Sequence, residues 1–259
     1  MHTSGLFLCR PGQAARFSTE TPIPSIDRTR SGSAGLVFIL IWAKPATPPR
    51  AADVKLQAAM NTRSAVTRSS KLSRWLDSKI DGTEIPSSKR ARMSAGCLDQ
   101  AMEHQKAIVL LVRRQHHGSA LSLVRLAFES YVRGVWLHHC ATETELNEYT
   151  RDKLRKEFSV LIKEFEVVEA FTAGTLSAIK KRSWPTMNSF THSGYNQAVR
   201  RNKIDSIEPN YGEQEVLEAL QFSNTIALLA SIQIASLANN VELANACLKK
   251  AKRLLPIAT

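Results

Sequence analysis

Four cysteines in 259 residues, none in a Cys-x-x-Cys pair, leave little room for a zinc cluster or a disulfide framework. Cys9, Cys97, Cys140 and Cys247 are far apart, and the pattern suits a reducing compartment. Aromatic residues make up only 7% of the chain. Apolar residues rarely alternate at a spacing of two, and glycine and proline do not recur at short intervals, which argues against a sandwich or barrel. Proline gathers near the N-terminus instead, at Pro11, Pro22, Pro24, Pro45, Pro48 and Pro49. Also absent are a phosphate-cradling glycine loop, a nucleophile elbow and a dinucleotide fingerprint.

The hydrophobic fraction of 43% suffices for a core, and long stretches repeat apolar residues at three- and four-residue spacing. The expected fold is therefore all-α, a multi-helix bundle of mostly antiparallel helices behind a disordered N-terminal leader. Residues 1–59 form the leader, 60–93 a short basic helix and linker, and 94–259 a single helical-bundle domain. The leader contains one apolar run, Gly35 to Ala43, which is far short of the roughly 20 residues a membrane span needs. It reads best as translation assigned from too far upstream, with Met60 favoured over Met93 as the start.

The net charge of +12 is unevenly placed. Residues 1–59 carry +4, residues 60–93 carry +5, and the remaining 166 residues only +3. A basic block of this kind usually behaves as a solvated face. The uncharged stretch between Ala219 and Val241 is interrupted by Gln221, Asn224, Gln233 and Asn239, amides that are costly in lipid. It is expected to be a core helix, with no membrane span and a cytoplasmic location.

Helices are expected over about Ser88–Gln115, Ser119–Cys140, Leu154–Val168, Glu213–Asn239 and Val241–Leu254. Thr142 is expected to cap a short segment at Glu145, and Trp184-Pro185 to start a new helix carrying Asn188 and His192. On the helix from Ser119, the residues Ser122, Arg125, Glu129, Arg133 and Trp136 fall within about a quarter of the circumference. Arginine and glutamate at i, i+4 spacing pair readily, and two arginines with one carboxylate leave spare donors for an anion. Asn188 and His192 share a helix face, with Gln197 and the Arg200-Arg201 pair just beyond. The expected binding set is thus Arg125, Glu129, Arg133, Asn188, His192 and Gln197. His192, Arg133 and His138 are the candidates for proton transfer. The pairs His116-His117 and His138-His139 point about 100° apart on a helix and do not chelate, so neither metal nor cofactor is expected.

Arg133-Gly-Val-Trp-Leu-His138 resembles the Arg-x4-His spacing of HEPN-type ribonucleases. That resemblance implies metal-free RNA cleavage by Arg133 and His138 across a homodimer interface. The stretch Ser119–His138, with Asn188-x3-His192-x-Gly194, also resembles an uncharacterised family of bacterial all-helical proteins, over roughly residues 94–250. This second resemblance implies a bacterial cytoplasmic protein and supplies no activity. The leading expectation is a binding protein whose polar pocket holds an anionic, phosphate-like group. A ribonuclease or toxin acting on RNA, and a structural subunit pairing within a dimer, are the alternatives.

Overall fold

The computed structural model describes residues 6–7, 61–168 and 174–254. Apart from Leu6 and Phe7, the leader with its apolar run at 35–43 lies outside the described residues, as does Met60. Helices dominate: α1 (Thr62–Ile80), α2 (Lys89–Arg113), α3 (His117–His139), α4 (Glu143–Thr150), α5 (Phe158–Glu166), α6 (Thr175–Thr191), α7 (Tyr195–Val199), α8 (Glu213–Leu237) and α9 (Val241–Leu254). The two short strands β1 (Leu6–Phe7) and β2 (Glu84–Ile85) pair antiparallel.

Side-chain caps mark several starts. Asn61 Oδ1 accepts from Ser64 N at 2.8 Å, and Ser88 Oγ from Ala91 N at 3.2 Å. Thr142 and Glu145 form the expected capping box at α4. The turn between α2 and α3 uses Gln115 at a φ of 60°.

Helices α2 and α3 pack on each other and on α8, which runs through the centre. Their contact is close at Gly134. A Cβ there would sit 2.8 Å from Leu98 Cγ and 3.1 Å from the Ser94 carbonyl, while Ser94 Oγ donates to the Gly134 carbonyl at 2.8 Å. Phe128, Tyr131, Trp136 and Phe165 are fully buried in the same core as Leu98 and Ile234.

Helix α8 is the one helix among the described residues long and apolar enough to cross a membrane, but 83% of that window is buried inside the fold. Its hydroxyls turn back onto its own backbone, as with Ser231 Oγ to the Leu228 carbonyl at 2.7 Å. Its amide side chain at Asn224 links three helices. Asn224 Nδ2 donates to Ser69 Oγ, Gln105 Nε2 donates to Asn224 Oδ1, and Ser73 Oγ donates to Gln105 Oε1, at 2.8, 2.8 and 2.9 Å. Buried amides of this kind are tolerable because each has a partner.

This network also places α1 inside the bundle. Leu72 and Leu76 belong to the common core, and Thr62 bonds Glu213 at the start of α8. The apolar face of α1 is covered by α2 and α8.

Two helix limits differ from expectation. Leu154 is not helical: Arg151 caps α4, Asp152 adopts a φ of 57°, and the chain has no regular structure until α5 begins at Phe158. Pro185 does not start a helix but lies inside α6. Its ring removes only the bond to the Lys181 carbonyl, and both residues are on the exposed side where water can satisfy that oxygen.

Candidate functional site

Helix α6 lies across α3, and its last turn is stapled there by hydroxyls. Ser122 Oγ donates to the Phe190 carbonyl at 2.8 Å, and Thr191 Oγ1 to the Ser122 carbonyl at 3.2 Å. The helix ends at His192, whose N–H still donates to the Asn188 carbonyl at 2.9 Å. Ser193, at a φ of 54°, reverses the chain, and Gly194 N returns to the Ser189 carbonyl at 2.7 Å. These contacts hold the His192 imidazole over α3.

There it meets Arg125. The arginine Nε and Nη2 both donate to Glu129 Oε1, at 3.0 and 2.8 Å, and Nη1 contacts His192 Nε2. Arginine keeps its protons, so Nη1 is the donor and Nε2 the acceptor, which places the neutral imidazole's proton on Nδ1. The Arg125 and Glu129 side chains are only 17% and 19% exposed. The guanidinium carbon lies 4.7 Å from the Trp184 ring centroid. Trp184 in turn stacks on Phe158 at 4.7 Å and 14°, and Phe158 meets Phe128 edge-on at 5.5 Å. An aromatic ladder rising from the core therefore sets the plane of the arginine.

Beside Trp184 a cleft of about 380 Å³ opens between α5 and α6, lined by Ser159, Lys163, Ser177, Lys180, Lys181 and Pro185 among others. Lys180 Nζ stands 5.6 Å from the Trp184 centroid. Arg125 and Lys180 thus share the Trp184 ring.

The remaining expected residues fare differently. Asn188, one turn before His192, has its Oδ1 buried without a hydrogen-bond partner, as does Gln197 Oε1 on α7. Gln197 and the Tyr211 hydroxyl crowd Gly118, where a Cβ would collide with that hydroxyl. Arg133 does not join the ladder. Its charge acts on Cys97 and Tyr149, whose Sγ and hydroxyl lie 3.1 Å apart on the α2–α4 side. Eight residues turn the helix about 80° beyond Arg125, enough to face another neighbour. His138, five residues past Arg133, points about 140° from it, with its ring 4.2 Å from that of His139.

Trp184 and Phe158 border the candidate site without having been singled out in the sequence, where one was read as helix punctuation and the other lay within an expected helix. The spacing of Lys180 and Trp184, four apart on one helix, is the signal that could have exposed the first. A second polar cluster was missed entirely. Lys156 Nζ donates to both oxygens of Glu164, at 2.8 and 2.9 Å, and to Glu145, and lies 5.0 Å from the Trp136 ring. Trp136 Nε1 donates to Glu164 Oε2 at 2.7 Å. Burial pushes the Glu145 carboxyl up, but hydrogen bonds from Lys156 and Thr142 outweigh it and hold the carboxyl below its ordinary range. Burial likewise disfavours charged Lys156, yet its two carboxylate partners raise it above the usual lysine value.

The arrangement is that of an all-α bundle in which Arg125 and His192 meet in a polar seam between two helices, bordered by the Glu129 carboxylate and an aromatic wall. Residues 98–255 match the model of a family of unknown function, DUF6988, and the chain belongs to that family. No curated protein and no solved structure matches it. The family match begins within α2, so α1 lies ahead of it.

Proposed function

We propose that the α3–α6 seam binds an anionic, phosphate-like group, and that the protein is a cytoplasmic binding protein rather than a scaffold alone. The observation that carries this reading is the contact between Arg125 Nη1 and His192 Nε2. A neutral imidazole is a weak partner for a guanidinium donor, and an anion would replace it with a charge-assisted bond. Glu129 and Trp184 hold the guanidinium plane so that Nη1 faces the seam, and Lys180 and Lys181 add positive potential beside it. The scattered thiols Cys97, Cys140 and Cys247 are free, in keeping with a reducing compartment.

Thermal melting of the full chain with inorganic phosphate and with a small phosphate monoester tests the reading. Wild type should melt several degrees higher at ligand concentrations well above the dissociation constant. His192→Ala, an exposed position, should retain the ligand-free melting temperature and lose the shift. An absence of any shift in wild type, or a shift unchanged in His192→Ala, would refute the seam as the binding site.

A further inference from the structure

The second strong concentration of positive charge lies elsewhere. Helix α1 buries Ala65, Val66, Ser69, Leu72, Ser73 and Leu76 against α2 and α8. Its opposite face carries Arg63, Arg68, Lys71, Arg74 and Lys79, all exposed. The single carboxylate within the helix, Asp77, is already matched by Lys106 of α2 at 2.6 Å.

Helix α9 doubles this surface. Lys250 Nζ lies 5.1 Å from the ring centroid of Trp75 on α1, so the two helices are neighbours over α8. Lys249, Lys250, Lys252 and Arg253 all fall in its last two turns, and its one carboxylate, Glu242, is at the far end. Among the described residues none of Arg63, Lys71, Arg74, Lys249, Lys252 or Arg253 takes part in an ion pair. Holding so many unneutralised like charges on adjacent helices is electrostatically unfavourable for the isolated fold. A polyanion relieves it.

We infer that the joined outer faces of α1 and α9 form a docking surface for the phosphate backbone of a nucleic-acid duplex. The row from Arg63 to Lys79 extends about 24 Å at 1.5 Å per residue, a length over which duplex DNA presents on the order of a dozen phosphates. Half-buried Trp75, beneath Lys250, gives the surface a rigid centre. An acidic membrane is the weaker fit. Helices that lie on lipid turn an apolar face to the acyl chains, and the apolar face of α1 is spent on the core. The side chains around the α1 cations are Thr67, Ser78 and half-buried Trp75, and every aliphatic residue of that helix is buried. The surface reads phosphates and carries no evident base-reading element, so it binds without sequence preference. It is separate from the α3–α6 seam, since α6 packs mainly on α3, α5 and α7.

Fluorescence anisotropy of the full chain with labelled 24-base-pair DNA and RNA duplexes tests this inference, with anionic phosphatidylserine vesicles as the competing surface. The duplex affinity should fall with salt, with a slope of several log units per log unit. Arg68→Glu/Lys71→Glu/Arg74→Glu should weaken binding at least tenfold and make that slope shallower by about three. Lys249→Glu/Lys252→Glu, on the other helix, should weaken it independently, with helical circular dichroism unchanged in both variants. Binding to one duplex type alone identifies the nucleic acid and supports the surface. Three outcomes would overturn it: no binding to either duplex at 50 mM salt, full affinity retained by both variants as leader-borne binding would give, or retention on vesicles only. His192→Ala should not alter duplex binding, so this surface and the seam stand or fall separately.

Discussion

Arg125 and His192, 67 residues apart in the chain, meet through Nη1 and Nε2 where the end of α6 crosses the middle of α3. The contact depends on an uncharged Nε2. The Arg125 guanidinium is thus shared between a carboxylate of its own helix, Glu129, and an imidazole of α6.

Glu129 competes with any anion for the same guanidinium. Glu129→Gln keeps the shape and an acceptor oxygen while removing the charge. Its phosphate affinity should rise about fivefold, the equivalent of roughly 1 kcal/mol for a partly exposed pair. Titration calorimetry would show this directly. A fall of threefold or more would mean that the carboxylate serves mainly to orient Arg125.

Two glycines in α2 and α3 should respond in opposite directions to the same change. Gly96 has nothing within 4 Å of where a Cβ would lie, so Gly96→Ala should stabilise the helix by up to about 1 kcal/mol. Gly134→Ala would press into Leu98 and the Ser94 carbonyl and should cost roughly 1–3 kcal/mol. Urea unfolding of the two variants would settle the contrast; a stabilised Gly134→Ala would show that α2 and α3 can separate without loss.

The Lys156 cluster predicts stability at both ends of the pH scale. Glu145 binds its proton more weakly in the folded chain than in the unfolded one. Its contribution is therefore complete above the ordinary carboxylate range and is lost as pH falls through its lowered folded value. Lys156 runs the other way, complete below the ordinary lysine value and lost as pH rises through its raised folded value. Lys156→Met should destabilise the protein by roughly 1–2 kcal/mol at pH 7, since it leaves two partly exposed carboxylates facing one another. The deficit should shrink once both are protonated in acid. A deficit equal at pH 7 and pH 3.5 in denaturant unfolding would assign the loss to packing.

Burial raises the thiols of Cys97 and Cys247, and that of half-buried Cys140 to about 11. The thiolate is the reactive form. Iodoacetamide at pH 8 should therefore modify these three positions far more slowly in the folded chain than in urea, as followed by peptide mass mapping. Rapid native labelling of Cys97 would show that the Tyr149 side opens readily.

Much of the secondary structure was legible because period and caps agree. The stripes of α1, α2, α3 and α8, and the Thr142–Glu145 box, rest on local rules that hold wherever the helix is placed. The two errors were also local in origin. Leu154 continues the apolar period of α5 but precedes its start, because Lys156 is drawn between Glu145 and Glu164 from two other segments. Pro185 looked like a boundary, yet a solvent-facing proline costs a helix only one bond when the rest of the helix is packed.

The sequence by itself determined the all-α class, the burial of the long apolar helix α8 and the pairing of Arg125 with Glu129. Each follows from spacing along a single helix. Only the tertiary structure decided which neighbours those faces meet. It brought His192 and Trp184 to Arg125, set Arg133 near Cys97 and Tyr149, and laid Lys250 of α9 over Trp75 of α1. The reason is that helical periodicity sets the direction of a side chain relative to its own axis, whereas the crossing of two axes depends on every other contact in the core.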